Sequence, residues 1–321
     1  MVKQNIFITG GLGFVGSRLS FFLQNTKKYN VTVSTRKRKK DLPDDFIKTG
    51  IEFIDYFSLK EIEQLEFLKE IDTIIHLAAL NEVDCVKFPQ KAIEFNIWGS
   101  VNLIKTAQKG GIKNFIYFST VHVYSSPLLG VLNETANCRA AHPYSITHKA
   151  AEDYILAERD RTDINATVIR LSNSFGSPAF DTSDRWTLLV NDICKQAITE
   201  NKITLRSNGE QKRDFITLED VEQAIYLILD KKKENLFDGI INLASEKAIK
   251  IIEIAKIVQS EYQKLYSQKI NIEKSNKKDI NNDNLKIDIS RLKSLGFEPE
   301  NNFEKEISNM LKFCKQKFKN D

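Results

Sequence analysis

Long hydrophobic runs are missing from this chain of 321 residues. No stretch approaches the roughly eighteen consecutive apolar residues that a membrane-spanning helix needs. The first residues, MVKQNIFITGG, also lack the apolar core and the small-residue cleavage site of a secretory signal. We therefore expect no membrane partner and a cytoplasmic location.

Cysteine is scarce, with four scattered residues that form no CxxC pair and are too few for a disulfide framework. The four histidines lack the spacings that are typical of zinc sites, so we expect no metal. A hydrophobic content of 41% excludes a disordered chain. The length predicts one large domain or two coupled ones.

Acidic residues are absent from the first forty positions, which hold nine lysines and arginines. Five of these nine are consecutive, from Arg36 to Lys40. The net charge of +4 is too mild to indicate nucleic-acid binding by the whole chain, so we expect no nucleic-acid partner. The basic run is either a solvated loop or a local site for an anion.

Strand-like and helix-like segments alternate through the first two-thirds of the chain. Apolar runs that predict strands cover residues 6–9, 31–35, 51–54, 72–79, 114–120 and 166–172. Segments of helix length cover residues 58–70, 89–109 and 143–160. Because the strands are continuously apolar, they indicate a parallel sheet that is covered on both faces. The predicted fold class is α/β, a doubly wound Rossmann parallel sheet with a smaller C-terminal α/β domain for substrate.

The alternation loosens after residue 176. Thr217 opens a predicted helix, and residues 239–244 could return a strand to the main sheet. The segment 267–286, rich in Lys, Asn and Asp, predicts a solvated surface rich in loops. We expect a Rossmann domain formed by residues 1–176 plus about 211–245. The substrate-binding domain would then comprise residues 177–210 plus 246–321.

Four of the thirteen glycines fall between Gly10 and Gly16, where a strand ends and a helix begins. A dinucleotide site needs glycine there, because the turn is tight and the backbone comes close to a pyrophosphate. Gly10, Gly13 and Gly16 would form this turn, and Phe14 and Val15 would open the helix whose N-terminus faces the phosphates. The pattern predicts dinucleotide binding.

The end of the second predicted strand reads Ser34-Thr35-Arg36-Lys37-Arg38. A site that is specific for NAD carries an acidic residue near this position, which binds the ribose 2′-hydroxyl. Here no carboxylate would repel a 2′-phosphate, and Arg36 and Arg38 could attract one. We therefore expect NADP as the cofactor, with NAD less favoured.

Six further segments resemble motifs of one family. In chain order they are HLAA at 76–79, NIWGSVNL at 96–103, STVHVY at 119–124, IRLSNSFG at 169–176, RDFI at 213–216 and LGFEP at 295–299. Their order and spacing are similar to those of the extended short-chain dehydrogenase/reductases, the NAD-dependent epimerase/dehydratase family that modifies nucleotide sugars. The resemblance covers nearly the whole chain.

The resemblance implies roles for individual residues. Tyr144 would be the catalytic acid/base, and Thr120 would hydrogen-bond the same substrate oxygen. Asn173 and Arg213 would bind the diphosphate of a nucleotide-sugar substrate, since a guanidinium forks well onto phosphate oxygens. Asp55 would lie at the adenine.

The same resemblance implies further contacts to cofactor and to a second subunit. The strand-end residues Leu77, Ala78 and Ala79 would line the cofactor site. Family members commonly pair through the helices that here would be 89–109 and 143–160, so we expect a homodimer.

The chain departs from the family at the tyrosine motif, Y-x-x-x-K. His148 stands in the register of the lysine, and Lys149 comes one residue too late. One residue is a rotation of about 100 degrees on a helix, so Lys149 should not reach the same atoms. His148 would then take the place of the lysine beside Tyr144 and at the nicotinamide ribose.

A second departure follows Thr120. Dehydratases of the family carry an Asp-Glu pair directly after the catalytic threonine, whereas this chain has Val121 and His122. Without those carboxylates a dehydratase is disfavoured. His122 could perform acid/base work near neutral pH, or it could be a packing residue beside the sheet edge.

These patterns together predict an NADP(H)-dependent oxidoreductase that acts on a nucleotide-linked sugar, most simply by reducing a 4-keto group. One alternative is a nucleotide-sugar epimerase that oxidises and re-reduces one carbon with a tightly bound cofactor. Another is a non-catalytic NADP-binding protein, because the altered tyrosine motif could mean that the chemistry is lost.

Overall fold

The computed structural model describes residues 3–35, 42, 52–55, 66–180, 185–231, 239–278 and 282–319. Its strands in chain order are β1 (Gln4–Thr9), β2 (Tyr29–Thr35), β3 (Glu52–Asp55), β4 (Thr73–His76), β5 (Asn114–Thr120), β6 (Val131–Leu132), β7 (Asn165–Leu171), β8 (Asn173–Phe175), β9 (Lys202–Leu205), β10 (Lys212–Thr217), β11 (Ile240–Leu243), β12 (Ala248–Lys250), β13 (Asn271–Lys274) and β14 (Lys286–Ile287). The predicted strands of the first two-thirds of the chain are all present, with ends shifted by a few residues at most.

Seven strands form the central sheet, in the order β3-β2-β1-β4-β5-β7-β11. Every neighbouring pair in this sheet is parallel. The doubly wound α/β fold predicted from the sequence is therefore confirmed, and the segment 239–244 does return β11 to the sheet beside β7. The strand order reverses between β1 and β4, which opens a crevice at the carboxyl ends of these strands.

The helices in chain order are α1 (Phe14–Asn25), α2 (Glu82–Lys87), α3 (Pro89–Ala92), α4 (Gly99–Lys109), α5 (Pro143–Arg161), α6 (Leu189–Thr199), α7 (Leu218–Asp230), α8 (Ile251–Tyr266), α9 (Ser290–Ser294) and α10 (Phe303–Phe318). A π-helical turn, Ile93–Trp98, joins α3 to α4, so the predicted segment 89–109 is helical throughout. Of the segment 58–70, the described part is a 3₁₀ helix, Glu66–Glu70. Among the described helices, none has both the length and the apolar character that crossing a bilayer requires.

Apolar side chains of the strands alternate between two cores. Phe7 of β1 packs in the core that includes Leu103 of α4 and Ile155 of α5. Its neighbour Ile8 packs on the opposite face, in the core that includes Leu19 of α1. This alternation has the period of two that a strand imposes, so burial on both faces explains why the strands read as continuously apolar.

A further core lies in the C-terminal part of the chain, where α6, β9, α8 and α10 pack together. At the start of α7, the Thr217 hydroxyl accepts a hydrogen bond from Asp220 N (3.0 Å), which confirms the predicted helix start. The segment 267–286 contains the exposed strand β13, which pairs with β9 and was not predicted. The partition into two domains remains a proposal.

An ion-pair cluster holds the C-terminal helix against the helix that follows the glycine turn. Arg18 of α1 donates to Glu222 of α7 (2.9 Å) and to Glu306 of α10 (2.8 Å). Burial raises the pKa of Glu222 to about 7, although the nearby guanidinium opposes this shift. The three helices are thereby held together around the partly buried guanidinium of Arg18.

Candidate functional site

A cavity of about 540 Å³ opens at the carboxyl ends of the central strands. Most of the residues predicted for the site line it: Gly10, Gly13, Phe14, Val15, Gly16, Leu77, Ala79, Thr120, His122, Tyr144, His148, Asn173 and Arg213. Ala78 does not line the cavity, and its backbone N–H donates to Thr9 Oγ1 (3.2 Å). The fold therefore brings residues from distant parts of the sequence to one place.

The turn at 10–16 brings backbone segments so close together that Gly10 and Gly16 have no room for a side chain. Gly10 has a φ of +70°, and a Cβ there would lie 2.9 Å from Ala78 N. A Cβ on Gly16 would lie 2.3 Å from the Gly10 carbonyl oxygen. Gly13 begins α1 without any side-chain cap, so the first N–H groups of the helix are available to an anion. These features fit the pyrophosphate of a dinucleotide.

The adenosine end of the predicted cofactor site is described only in part. Arg36 and Arg38 lie outside the described residues, as does the side chain of Asp55. The backbone places Asp55 at the carboxyl end of β3, opposite Thr35 of β2. The predicted roles of these three side chains remain proposals.

Tyr144 is held at the start of α5 by local hydrogen bonds. His142 Nδ1 accepts from the backbone N of Tyr144 (3.2 Å), and Pro143 occupies the first helical turn, where it needs no partner. His148 follows one turn later, and its ring centroid lies 4.4 Å from that of Tyr144. Lys149 instead pairs with Asp153, outside the cavity lining.

Burial decides the ionisation of Tyr144 and His148. It raises the pKa of Tyr144 to about 12, an effect that Glu82 increases and Arg185 opposes. It lowers the pKa of His148 to about 4. At neutral pH the tyrosine is therefore protonated and the histidine uncharged.

The two ring nitrogens of His148 have different surroundings. Nδ1 lies 2.7 Å from the hydroxyl of Tyr117, within the core. Nε2 is buried and has no hydrogen-bond partner among the described residues, although the ring lines the cavity. A buried polar atom without a partner is costly, so Nε2 is suited to a hydroxyl of a bound ligand, such as the ribose of a nicotinamide nucleotide.

Thr120 and Ser119 bring hydroxyl groups to the cavity from the end of β5. Thr120 Oγ1 accepts from His122 N (3.2 Å) at the start of a 3₁₀ turn, Val121–Val123, and keeps its hydrogen for a further acceptor. Ser119 Oγ is buried and has no partner in the described part of the chain. Ser119 was not predicted as a site residue.

His122, Asn173 and Arg213 lie together at the cavity wall. Burial lowers the pKa of His122, and the charge of Arg213 adds to this effect. A hydrogen bond between His122 and Asn173 opposes it. Asn173 Nδ2 also donates to the carbonyl of Asp214 (2.8 Å), which fixes the orientation of the amide.

Glu82, Arg185 and Thr187 also line the cavity, although the sequence did not indicate them. Glu82 accepts from Arg185 Nη2 (3.1 Å) and from Thr187 Oγ1 (3.2 Å). Burial works against ionisation of Glu82, but Arg185 holds its pKa below the ordinary value. The cap residue Asn81 marks the start of α2 and could have drawn attention to Glu82. In the described residues, no three potential metal ligands cluster.

Comparison with known proteins matches this chain to one protein family. Residues 6–244 match the model of the NAD dependent epimerase/dehydratase family. A dTDP-D-glucose 4,6-dehydratase of Dictyostelium discoideum is 28% identical over 274 residues, which cover 79% of this chain and 61% of the relative.

Two solved structures are similar over nearly the whole chain. The UDP-glucuronic acid 4-epimerase of Bacillus cereus in complex with NAD has a TM-score of 0.83 at 21% identity, covering 99% of this chain and 98% of that one. The UDP-N-acetylglucosamine 4-epimerase of Methanobrevibacter ruminantium M1, in complex with UDP-N-acetylmuramic acid, has a TM-score of 0.79 at 25% identity, covering 98% of each chain. Since the family match extends from β1 through β11, this chain belongs to the NAD-dependent epimerase/dehydratase family.

Proposed function

We propose that the protein is an NADP(H)-dependent oxidoreductase that reduces the 4-keto group of a nucleotide-linked sugar. One observation carries the proposal: in the cavity, the ring of Tyr144 lies 4.4 Å from the ring of the buried His148, and burial keeps Tyr144 protonated and His148 uncharged at neutral pH. A protonated tyrosine can give its proton to the oxygen of a ketone that is being reduced. The same tyrosine is a poor base for oxidising an alcohol, since only the phenolate can accept a proton.

The cavity can position both a cofactor and a sugar. The glycine turn and the N-terminus of α1 would hold the pyrophosphate, and His148 Nε2 would meet a ribose hydroxyl. When bound, a nicotinamide dinucleotide supplies the hydride. Tyr144 and Thr120 would both donate hydrogen bonds to the carbonyl oxygen, and Tyr144 would transfer its proton to that oxygen.

The opposite wall of the cavity suits the nucleotide-sugar. Arg213 and Asn173 would bind the diphosphate, Arg213 through its guanidinium. Asn173 would also hold His122 near the sugar through their hydrogen bond. Arg185 and Glu82 would present a charge-assisted donor and acceptor to sugar hydroxyls. Because Val121 and His122 stand where dehydratases of the family carry two carboxylates, a dehydratase is disfavoured.

An epimerase is the second candidate, and the two solved epimerase structures favour it. Epimerisation at C4 needs Tyr144 as a base in the oxidative half and as an acid in the reductive half. The raised pKa of Tyr144 favours only the second half. A protein that binds the cofactor without turnover is the third candidate.

The decisive assay incubates purified protein with NADPH and a panel of nucleotide sugars in both their 4-keto and 4-hydroxy forms, separates the products by chromatography, and analyses them by mass spectrometry. A reductase yields a product that is two hydrogens heavier and consumes one NADPH per product. An epimerase interconverts nucleotide sugars without net consumption of NADPH. Cofactor binding with no turnover on any member of the panel identifies the non-catalytic protein.

Cofactor preference tests the proposed role of the basic run. If Arg36 and Arg38 contact a 2′-phosphate, NADPH should bind more tightly than NADH by up to about 1.5–3 kcal/mol per charge-assisted contact. Replacing both with alanine should erase this preference and leave NADH binding nearly unchanged, as measured by calorimetry. Replacing Lys39 and Lys40 instead provides the matched control. Wild-type protein that prefers NADH would contradict the assignment.

The proposed homodimer would pair through the helical segments 89–109 and 143–160. Large apolar side chains are exposed on both segments, including Trp98, which is 59% exposed, and Ile146. Such exposure is typical of surfaces that bind another protein. We expect a dimer at micromolar concentration by light scattering, and a monomer for Trp98→Glu combined with Ile146→Glu. A monomeric wild-type protein would rule the dimer out.

A further inference from the structure

A chain of buried hydrogen bonds begins beside the glycine turn. Thr9 Oγ1 accepts from the backbone N of Leu77 and of Ala78, both at 3.2 Å. Its own hydrogen is therefore directed to His76 Nδ1, which lies 2.6 Å away. Burial lowers the pKa of His76 to about 3, and the proximity of His148 adds to this effect. The ring of His76 is thus neutral and carries its hydrogen on Nε2.

The chain continues from His76 to the backbone of the π-helical turn. His76 Nε2 donates to Ser100 Oγ (2.9 Å), and Ser100 donates its own hydrogen to the carbonyl of Asn96 (2.6 Å). A backbone carbonyl has no proton to pass on. This chain therefore fixes the orientation of its members and does not conduct protons to solvent.

Tyr117 lies between this chain and His148. Its hydroxyl is 2.7 Å from His148 Nδ1 and also faces Ser100, whose hydrogen is already used. Burial raises the pKa of Tyr117 well above its usual value, so the hydroxyl keeps its hydrogen. An imidazole nitrogen is a stronger acceptor than a serine hydroxyl, which favours donation from Tyr117 to Nδ1 over donation to Ser100.

We propose that Tyr117 is a positioning residue that fixes His148 as the Nε2–H tautomer, so that one neutral N–H donor is presented to the cavity. The family's lysine needs no such partner, because all the hydrogens of an ammonium group are donors. A neutral imidazole has one donor and one acceptor, and only the correct tautomer can donate to a ribose hydroxyl. The ribose hydroxyl as the acceptor rests on the proposed function, whereas the tautomer of His148 does not.

The tautomer is measured directly by a two-bond ¹H–¹⁵N correlation spectrum of protein that carries ¹⁵N-histidine. The chain has only four histidines, and the His148→Lys variant identifies the signal of His148 by its loss. We expect the Nε2–H pattern in wild-type protein at pH 7, and a shift of the Nε2 resonance when NADPH is added. In Tyr117→Phe the pattern should become a mixture or the Nδ1–H form.

Tyr124→Phe is the matched control. Its hydroxyl is also buried and donates at the same distance, 2.7 Å, but to Asn242 Oδ1. Removing it should leave the spectrum of His148 unchanged. If Tyr124→Phe alters the tautomer as much as Tyr117→Phe does, general loosening of the core explains both variants, and the proposal is wrong.

A double-mutant cycle of kinetic measurements distinguishes a positioning role of Tyr117 from a packing role. Tyr117→Phe should lower kcat by up to about tenfold in the wild-type background, with the KM for the sugar within about twofold. In the His148→Lys background, where no tautomer needs fixing, it should lower kcat by less than about twofold. Equal losses in both backgrounds would show that Tyr117 only packs.

The positioning role of Tyr117 and the proposed function fail in different ways. If wild-type His148 shows the Nδ1–H form, the positioning role is wrong, whatever the activity. If the Nε2–H form is found but no keto sugar is reduced, the proposed function is wrong and the role of Tyr117 stands. If Tyr117→Phe does not fold, Tyr117→Leu replaces it in the spectrum, and a His148 that keeps the pure Nε2–H pattern in that variant overturns the role of Tyr117.

Discussion

Tyr144→Phe is expected to lower kcat by about 10²–10⁴-fold, because it removes the proton donor and leaves the rest of the site intact. The phenyl ring keeps the edge-to-face contact with His148, whose centroid lies 4.4 Å away. The KM for the sugar should therefore change little, and NADPH should bind as in the wild type. Steady-state kinetics and calorimetry measure the two effects separately.

Tyr154→Phe is the matched control for this experiment. Tyr154 lies on the same helix, about 15 Å further along its axis, and 52% of its surface is exposed. It should keep full activity. A Tyr144→Phe variant that retains more than a tenth of wild-type activity would show that another group, such as His122, gives the proton.

His148→Lys is expected to move the pH profile of alcohol oxidation downwards. Oxidation needs the phenolate of Tyr144, so in wild-type protein its rate should rise about tenfold per pH unit towards a pKa of about 12. A lysine charge at position 148 favours the phenolate and lowers this pKa. Arg185 and Glu82, which also face Tyr144, are unchanged in the variant. The reductive rate uses protonated tyrosine and should change less.

His148→Gln is the control for charge. A glutamine can donate a hydrogen bond to the cavity but carries no charge, so the oxidative profile should stay where it is in the wild type. If His148→Lys also leaves the oxidative pH profile in place, the residue at position 148 does not control the pKa of Tyr144. The rise of the wild-type oxidative rate with pH follows from Tyr144 alone, since His148, with a pKa of about 4, stays neutral from pH 6 upwards.

The fold could be predicted largely because its signals are local. Continuous apolar strands and the glycine turn reflect burial on both faces and close backbone approach, and both occur in the structure. The exposed strand β13 was missed, since its sequence Asn-Ile-Glu-Lys has little apolar content and it forms by pairing with the distant β9. The π-helical turn at 93–98, which packs against α5, was also missed.

Residues of the site could be predicted only where they belong to a recognisable sequence motif. Tyr144, Thr120 and the glycines stand in recognisable patterns, and the structure gathers them around one cavity. Tyr117 gave no such signal, because within the apolar strand β5 it reads as an ordinary core residue. Arg185 lies outside the helices and strands, and its contact with Glu82, 103 residues away in the chain, has no local signal in the sequence.

The central claim is that Tyr144 acts as an acid beside a neutral His148, and the most direct test compares both directions of the wild-type reaction at pH 6.5 and pH 9. The account predicts a reductive rate that is nearly the same at the two pH values. The oxidative rate should be barely measurable at pH 6.5 and at least about a hundredfold higher at pH 9, as expected for a base with a pKa of about 12. Wild-type protein that oxidises the alcohol well at pH 6.5 would contradict the account.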